Sequence, residues 1–243
     1  MLIDLLQRKL FTSEPMEPVA AKLEAGEDAS VGLVASVRPF LVASAFTRYP
    51  RPMLVVVSGN EAAERFARDV AAYIGREHVL VLPERLDLPW SDAQPDLKVV
   101  GARTQAIGML AAGRNVVVVT SARALLRRCA PAGTGVFSPL TVTCDDGVVD
   151  GASGEALEYE QVAPALLKRG YQHLEELDGP GTFCVHGDAI DIFGAGMTSP
   201  IRIDFWGDDV DGLRRVVAST GQTIGELEAA EVWPCREFTV SKR

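Results

Sequence analysis

The sequence predicts a mixed α/β protein in two parts: a domain over residues 1–130 built on a helix-covered parallel sheet, and a smaller α+β domain over residues 131–243 with an antiparallel sheet. Three observations carry this. Short branched apolar runs at 53–57 and 115–120 alternate with segments of helical period, the pattern of strands buried beneath crossover helices. Pro131-Ala132-Gly133-Thr134-Gly135 is a cluster of chain-breaking residues suited to a linker. Beyond it the period changes to two: Phe183 and Val185 alternate with Cys184 and His186, and Ile201, Ile203 and Phe205 alternate with Arg202 and Asp204, as in half-buried strands.

Taken in order, residues 1–28 read as two short amphipathic helices, with Leu2, Leu5, Leu6 and Leu10 at helical spacing and a second piece over 18–23 ending near Gly26. A first strand is expected at 30–34, a helix at 38–47 and a buried parallel strand at 53–57. Ser58-Gly59-Asn60 supplies a turn and helix cap for 61–74, followed by a strand at 78–82 and a Pro-rich connection over 83–95. A helix over 96–112 and a buried strand over 115–120 complete the sheet, and Ser121 caps a short helix to 128. In the second domain, 136–144 alternates as a strand, Asp145-Asp146-Gly147 turns, and 155–169 is a helix stopped by Gly170. The remainder is mainly strands, with a turn at 221–223.

The composition bounds the chemistry. At 243 residues, 47% hydrophobic and 7% aromatic, the chain can bury a substantial core. A formal charge of −9 opposes a phosphodiester backbone, so DNA is not expected as the main partner. Cys129, Cys144, Cys184 and Cys235 form no C-x-x-C pair, and with three histidines no zinc spacing is recognisable; no metal is expected, and reduced thiols fit a cytoplasmic protein. The first ten residues lack the basic start and long apolar core of a signal peptide, and no apolar run approaches the roughly 18 residues that span a bilayer, so no membrane partner is expected. Asp188, Asp191, Asp204, Asp208, Asp209 and Asp211 lack calcium-loop spacing and read as solvated turns and strand faces. Ser, His and Asp occur without a nucleophile motif to join them, so no catalytic residue is expected.

Arg202 and Asp204, two residues apart, stand about 7 Å from one another on one strand face. A polar face of this kind is ordinarily a solvated surface, and its rival is a docking surface. Here G-T-F-x-V-x-G-D-x-I-D-I-F at 181–193, followed by I-R-I-D-F-W-G-D-D-V at 201–210, resembles the second domain of the bacterial excision-nuclease B subunit and of the transcription-repair coupling factor. The resemblance covers nearly all of the chain. It implies a degenerate P-loop, helicase-like first domain and a second domain that docks the A subunit of the excision nuclease.

Between the two relatives, the resemblance favours the coupling factor. A phosphate-binding loop needs a second glycine, a lysine and a hydroxyl residue. In Gly32-Leu-Val-Ala-Ser-Val-Arg-Pro39 those places hold Val37, Arg38 and Pro39, so nucleotide binding is not expected. No Asp-Glu dipeptide of the helicase type occurs, and the connection over 82–95 is short, with Trp90 its sole aromatic, where the B subunit carries a Tyr-rich DNA-clamping hairpin. ATP and Mg²⁺, RNA polymerase and DNA are then expected to engage parts of a larger parent protein outside this chain, whose other domains are further candidate partners. This chain is expected to be a non-catalytic adaptor. The alternatives are the excision-nuclease B subunit itself, an unrecognised nucleotide-using α/β enzyme, or a purely structural module.

Carried over position by position, the family's docking arginines fall on Cys184 and His186, and an upstream arginine falls in Tyr171-Gln172-His173, where none is present. Arg202 and Asp204 match the family pattern directly. The resemblance therefore implies docking that leans on Arg202 and Asp204, with His173 and His186 secondary and Gln172 and Cys184 at the remaining contact positions. Histidine in place of arginine exchanges a permanent planar charge for a group mostly neutral above its ordinary pKa of about 6.5.

Overall fold

The computed structural model describes residues 2–86, 96–131 and 133–238. Its first half runs α1 (Leu2–Leu10), α2 (Glu17–Ala25), α3 (Arg38–Arg48), β1 (Met53–Val57), α4 (Asn60–Ile74), β2 (Val79–Leu82), α5 (Leu97–Ala111), β3 (Val117–Ser121) and α6 (Ala122–Leu125). The second half runs β4 (Leu140–Thr143), β5 (Gly147–Asp150), β6 (Ala156–Leu157), α7 (Tyr159–Lys168), β7 (Gln172–His173), β8 (Thr182–His186), β9 (Ala189–Phe193), β10 (Ile201–Trp206), β11 (Asp209–Val216), β12 (Thr223–Glu226) and β13 (Ala229–Val232). Two compact units result, one comprising Met1–Glu84 and Ala112–Leu126, the other Arg85–Ala111 and Arg127–Arg243.

The first unit holds a parallel sheet in the order β1-β3-β2, with Met53 and Val79 both in register with Val117. Val55, Val57, Val79, Val81, Val117 and Val119 form one apolar cluster with Phe46 of α3 and Ala63, Ala67 and Val70 of α4. The central strand β3 is buried throughout, whereas Leu54 and Val56 of β1 are half exposed. The expectation of a buried strand at 53–57 is corrected accordingly, because β1 borders the sheet and pairs with β3 alone among the described strands. The strand expected at 30–34 is also absent; that segment is irregular and leads through a 3₁₀ turn, Ala35–Val37, into α3. Gly32 at its centre weakens strand propensity, and without a neighbouring ladder the segment has nothing to offset that. Ser121 caps α6 as expected, its Oγ accepting the Ala124 N–H at 3.1 Å, but the helix stops at Leu125 rather than at 128.

In the second unit a six-stranded sheet in the order β12-β11-β10-β9-β8-β7 is antiparallel except for the β7–β8 pair, and a four-stranded antiparallel sheet has the order β13-β4-β5-β6. Their inner faces share a core with α7 that includes Leu140, Val142, Leu166, Phe183, Ile190, Ile192, Ile203 and Phe205. The α/β character with parallel and antiparallel sheets is as expected.

The helix over 97–111 groups with this second unit, whereas the sequence reading counted it in the first. Its glycines explain the packing: a Cβ at Gly101 would come within 2.5 Å of the Ala195 carbonyl carbon, and one at Gly108 within 2.3 Å of the Trp233 ring. Thr104 donates to the Pro234 carbonyl at 2.7 Å, and the buried Arg103 Nε donates to Glu237 at 2.6 Å. All four cysteines are free thiols, and no helix among the described residues is long and apolar enough to cross a membrane.

Candidate functional site

Two tight hairpins build the polar face of the six-stranded sheet. Gly187-Asp188 joins β8 to β9 and Gly207-Asp208 joins β10 to β11. Each glycine takes a positive φ, +60° and +65°, while no non-glycine among the described residues does, the sign pattern of a type II′ turn. Counting outward from the first turn pairs His186 with Ala189 and Cys184 with Asp191, and β9 in turn places Asp191 opposite Arg202 and Ala189 opposite Asp204. Because residues in register share a face, Cys184, His186, Asp191, Arg202 and Asp204 converge on one side, with the apolar residues beneath.

The charges on this face are anchored to one another. Arg202 grips Asp191 with both arms of its guanidinium, Nε to Oδ1 at 2.6 Å and Nη2 to Oδ2 at 2.7 Å. Their side chains are 28% and 6% exposed, so the carboxylate is sealed in while the guanidinium reaches solvent. Hydrogen bonding to Asp191 holds the Arg202 guanidinium above its usual pKa, outweighing desolvation. Gly221, at φ +65°, turns beside this group, where a Cβ would lie 3.3 Å from Arg202 Nη2. Arg214 donates to Asp204 through Nε at 2.9 Å and through Nη2. A bulge in the β10–β11 ladder after Asp204 sets it opposite Gly212, where a Cβ would stand 3.3 Å from its carboxylate. Cys184 is buried, and desolvation followed by the nearby Asp191 charge pushes its thiol above the ordinary value.

The structure thus brings together Arg202, Asp204, Cys184 and His186. Gln172 lies at the end of the sheet, in register with Thr182 on the same side as Cys184. His173 does not join them: it pairs with Phe183, and its ring stacks on the Phe183 ring at 4.9 Å, which places it on the opposite, core-facing side. Asp191 and Arg214, which sequence reasoning did not put at the site, are the partners that hold Arg202 and Asp204 in place. For Asp191 the signal was available, since counting back from Gly187-Asp188 sets it opposite Cys184. The reading of the acidic run as wholly solvated is corrected by burial of Asp191, whereas Asp208 is exposed in its turn as expected, its Oδ1 accepting the Tyr159 N–H at the start of α7 at 3.1 Å.

At the loop of residues 32–39, Gly32 is not among the positive-φ glycines, and a Cβ there would meet nothing within 4 Å. Arg38 turns back to donate to the Leu33 carbonyl through Nε and Nη2 at 3.4 Å, and Pro39 sits in the first turn of α3. Val37 closes the 3₁₀ turn that precedes the helix. Trp90 and the segment over 87–95 lie outside the described residues.

The β8–β11 face is thus an antiparallel sheet that displays anchored, partly exposed charges. Residues 150–238, which contain this entire face, match the UvrB interaction domain. Over longer stretches the chain is 29% identical to a transcription-repair-coupling factor of Myxococcus xanthus, covering 93% of this chain and 19% of the relative. It is 30% identical to the transcription-repair-coupling factor of Mycobacterium bovis, over 83% and 16% respectively. A UvrABC system protein B from Thermotoga neapolitana is 22% identical over 87% of this chain and 32% of its own length. The chain is therefore similar to the UvrB interaction domain over residues 150–238 and, over most of its length, to part of the transcription-repair-coupling factors. It spans less than a fifth of the coupling factors and about a third of the UvrB protein that it matches.

Proposed function

We propose that this chain is a non-catalytic adaptor that docks a UvrA-type subunit on the β8–β11 face and thereby serves to bring excision repair to stalled RNA polymerase. The observation that carries the reading is the Arg202–Asp191 and Arg214–Asp204 pairs, held on a rigid sheet inside the residues that match the UvrB interaction domain. The buried Asp191 and the half-buried Asp204 fix the arginines in one orientation, so a partner meets a charge pattern that is ordered before contact, which lowers the cost of binding. Arg202 and Asp204 are the principal contacts in this reading. His186, Gln172 and the rim of Cys184 contribute beside them, and His173 acts by supporting Phe183 at the sheet end.

The first unit is read as a P-loop-like scaffold that no longer holds a nucleotide. Its support is Gly32, which does not take the positive φ open to glycine, and the return of Arg38 onto the Leu33 carbonyl, which turns the charge in the lysine's place back onto its own loop. The ATP-driven motor and the contacts to RNA polymerase and DNA belong, in this proposal, to parts of a longer protein, in the cytoplasm.

Size-exclusion co-elution with a cognate UvrA protein tests the docking face. The parent chain is expected to co-elute, and Arg202→Glu and His186→Glu to weaken or abolish co-elution while far-UV circular dichroism stays that of the parent. Undiminished co-elution of a folded Arg202→Glu, His186→Glu double variant would refute the assignment of this face. Calorimetry with ATP and Mg²⁺ is expected to show no binding heat; micromolar binding would instead favour the UvrB protein itself.

A further inference from the structure

The same face carries a second arrangement, and we infer that Cys184, His186 and Asp191 form a site for a divalent transition metal, zinc in the first instance. The donor atoms of these three side chains all lie within 4.8 Å of one another. Strand geometry enforces the cluster. Cys184 and His186 are two apart on β8 and so share a face, and the two-residue turn at Gly187-Asp188 sets Asp191 directly opposite Cys184. Three donors on two hydrogen-bonded strands need little rearrangement to close on an ion, in contrast to donors on separate loops.

The donor chemistry selects the metal. A thiolate and an imidazole suit zinc and related transition ions and disfavour magnesium and calcium, which take oxygen shells. Three protein donors leave a tetrahedral ion one further position for water or a partner's side chain, and of the three residues His186 is the exposed one. Arg202 serves as the outer partner that orients Asp191; each carboxylate oxygen that accepts one N–H keeps another lone pair for an ion. Uptake forms a sulfur–metal bond and releases the Cys184 thiol proton to solvent. The thiolate and carboxylate together then offset two of the three positive charges of the ion and the Arg202 guanidinium.

Cobalt(II) and zinc(II) titrations of the chelator-treated chain test the site. One equivalent of Co²⁺ is expected to produce thiolate-to-cobalt charge-transfer absorption, and one equivalent of Zn²⁺ to remove it. Cys184→Ser should abolish the band. His186→Ala, at an exposed position that leaves the fold unloaded, should weaken affinity by more than about ten-fold, the least expected even for loss of an outer partner. Cys129→Ser and Cys144→Ser, which alter the exposed thiols, should change nothing. Absence of a thiolate band, its persistence in Cys184→Ser, or its loss in Cys144→Ser would overturn the inference. If Cys184→Ser fails to fold, unaltered affinity in His186→Ala would overturn it as well.

Discussion

Arg202 and Asp191 share two hydrogen bonds but not the same surroundings, so removing one should cost more than removing the other. Asp191 is 6% exposed and Arg202 28%. Arg202→Met keeps the aliphatic stem but leaves a carboxylate without a counter-charge where water has little access. Breaking a fully buried pair costs about 3–5 kcal/mol, and an exposed one at most about 1 kcal/mol. With one partner sealed and the other partly wet, Arg202→Met should cost about 2–3 kcal/mol. Asp191→Asn retains a carbonyl acceptor and leaves a guanidinium that already touches solvent, so about 1 kcal/mol is expected. The double variant Arg202→Met, Asp191→Leu replaces the pair by apolar groups and should be less destabilised than Arg202→Met alone. Urea unfolding at neutral pH, followed by circular dichroism and by the fluorescence of Trp233, buried in the same unit, measures all three. Equal costs for the two single variants, or a double variant no more stable than Arg202→Met alone, would refute the view that a sealed carboxylate dominates this face. The same measurement protects the docking test, since loss of UvrA co-elution counts only in a variant that remains folded.

Other positions give further tests. Alanine for glycine in an exposed helix interior usually stabilises by up to about 1 kcal/mol, but Gly101→Ala and Gly108→Ala would press a methyl into Ala195 and Trp233 and should lower thermal stability instead. A rise in melting temperature for either would show that α5 does not pack as described. Burial raises the Asp150 carboxyl, but hydrogen bonds from Arg169 and from the Ala152 N–H outweigh it and hold the group below its usual value. A lowered folded pKa lends stability that is complete above the ordinary carboxylate range and is lost as pH falls through the folded value. Asp150→Asn should therefore be less stable than the parent near neutrality and lose less between about pH 5 and pH 2; parallel pH profiles would contradict this. Gly187→Ala meets open space but must adopt φ +60°, so it should cost about 1–2 kcal/mol through backbone strain alone. A neutral effect in thermal unfolding would show that the hairpin tolerates another turn.

Much of the face was legible in the chain because its period is local. Alternation alone put Cys184 with His186 and Arg202 with Asp204, and the Gly-Asp turns were recognisable as reversals. Pairing across strands was less visible. His173 was grouped with the docking residues on resemblance, yet the parallel pairing of β7 with β8 turned it onto Phe183. Leu54 and Val56 looked like core residues because the run 53–57 is uniformly apolar, and only the strand order left β1 at an edge. The helix over 97–111 showed its period but not its neighbours, since the glycine contacts with Ala195 and Trp233 join residues about a hundred positions apart.

What the sequence determined by itself is which residues share a strand face or a helix stripe, because period and turn chemistry act over a few residues. Tertiary structure decided which of those faces meet, and with it that Asp191 is sealed beneath Arg202 and that Asp204 answers to Arg214. Long-range register and burial depend on the whole packed unit, and no short window of the chain contains that information.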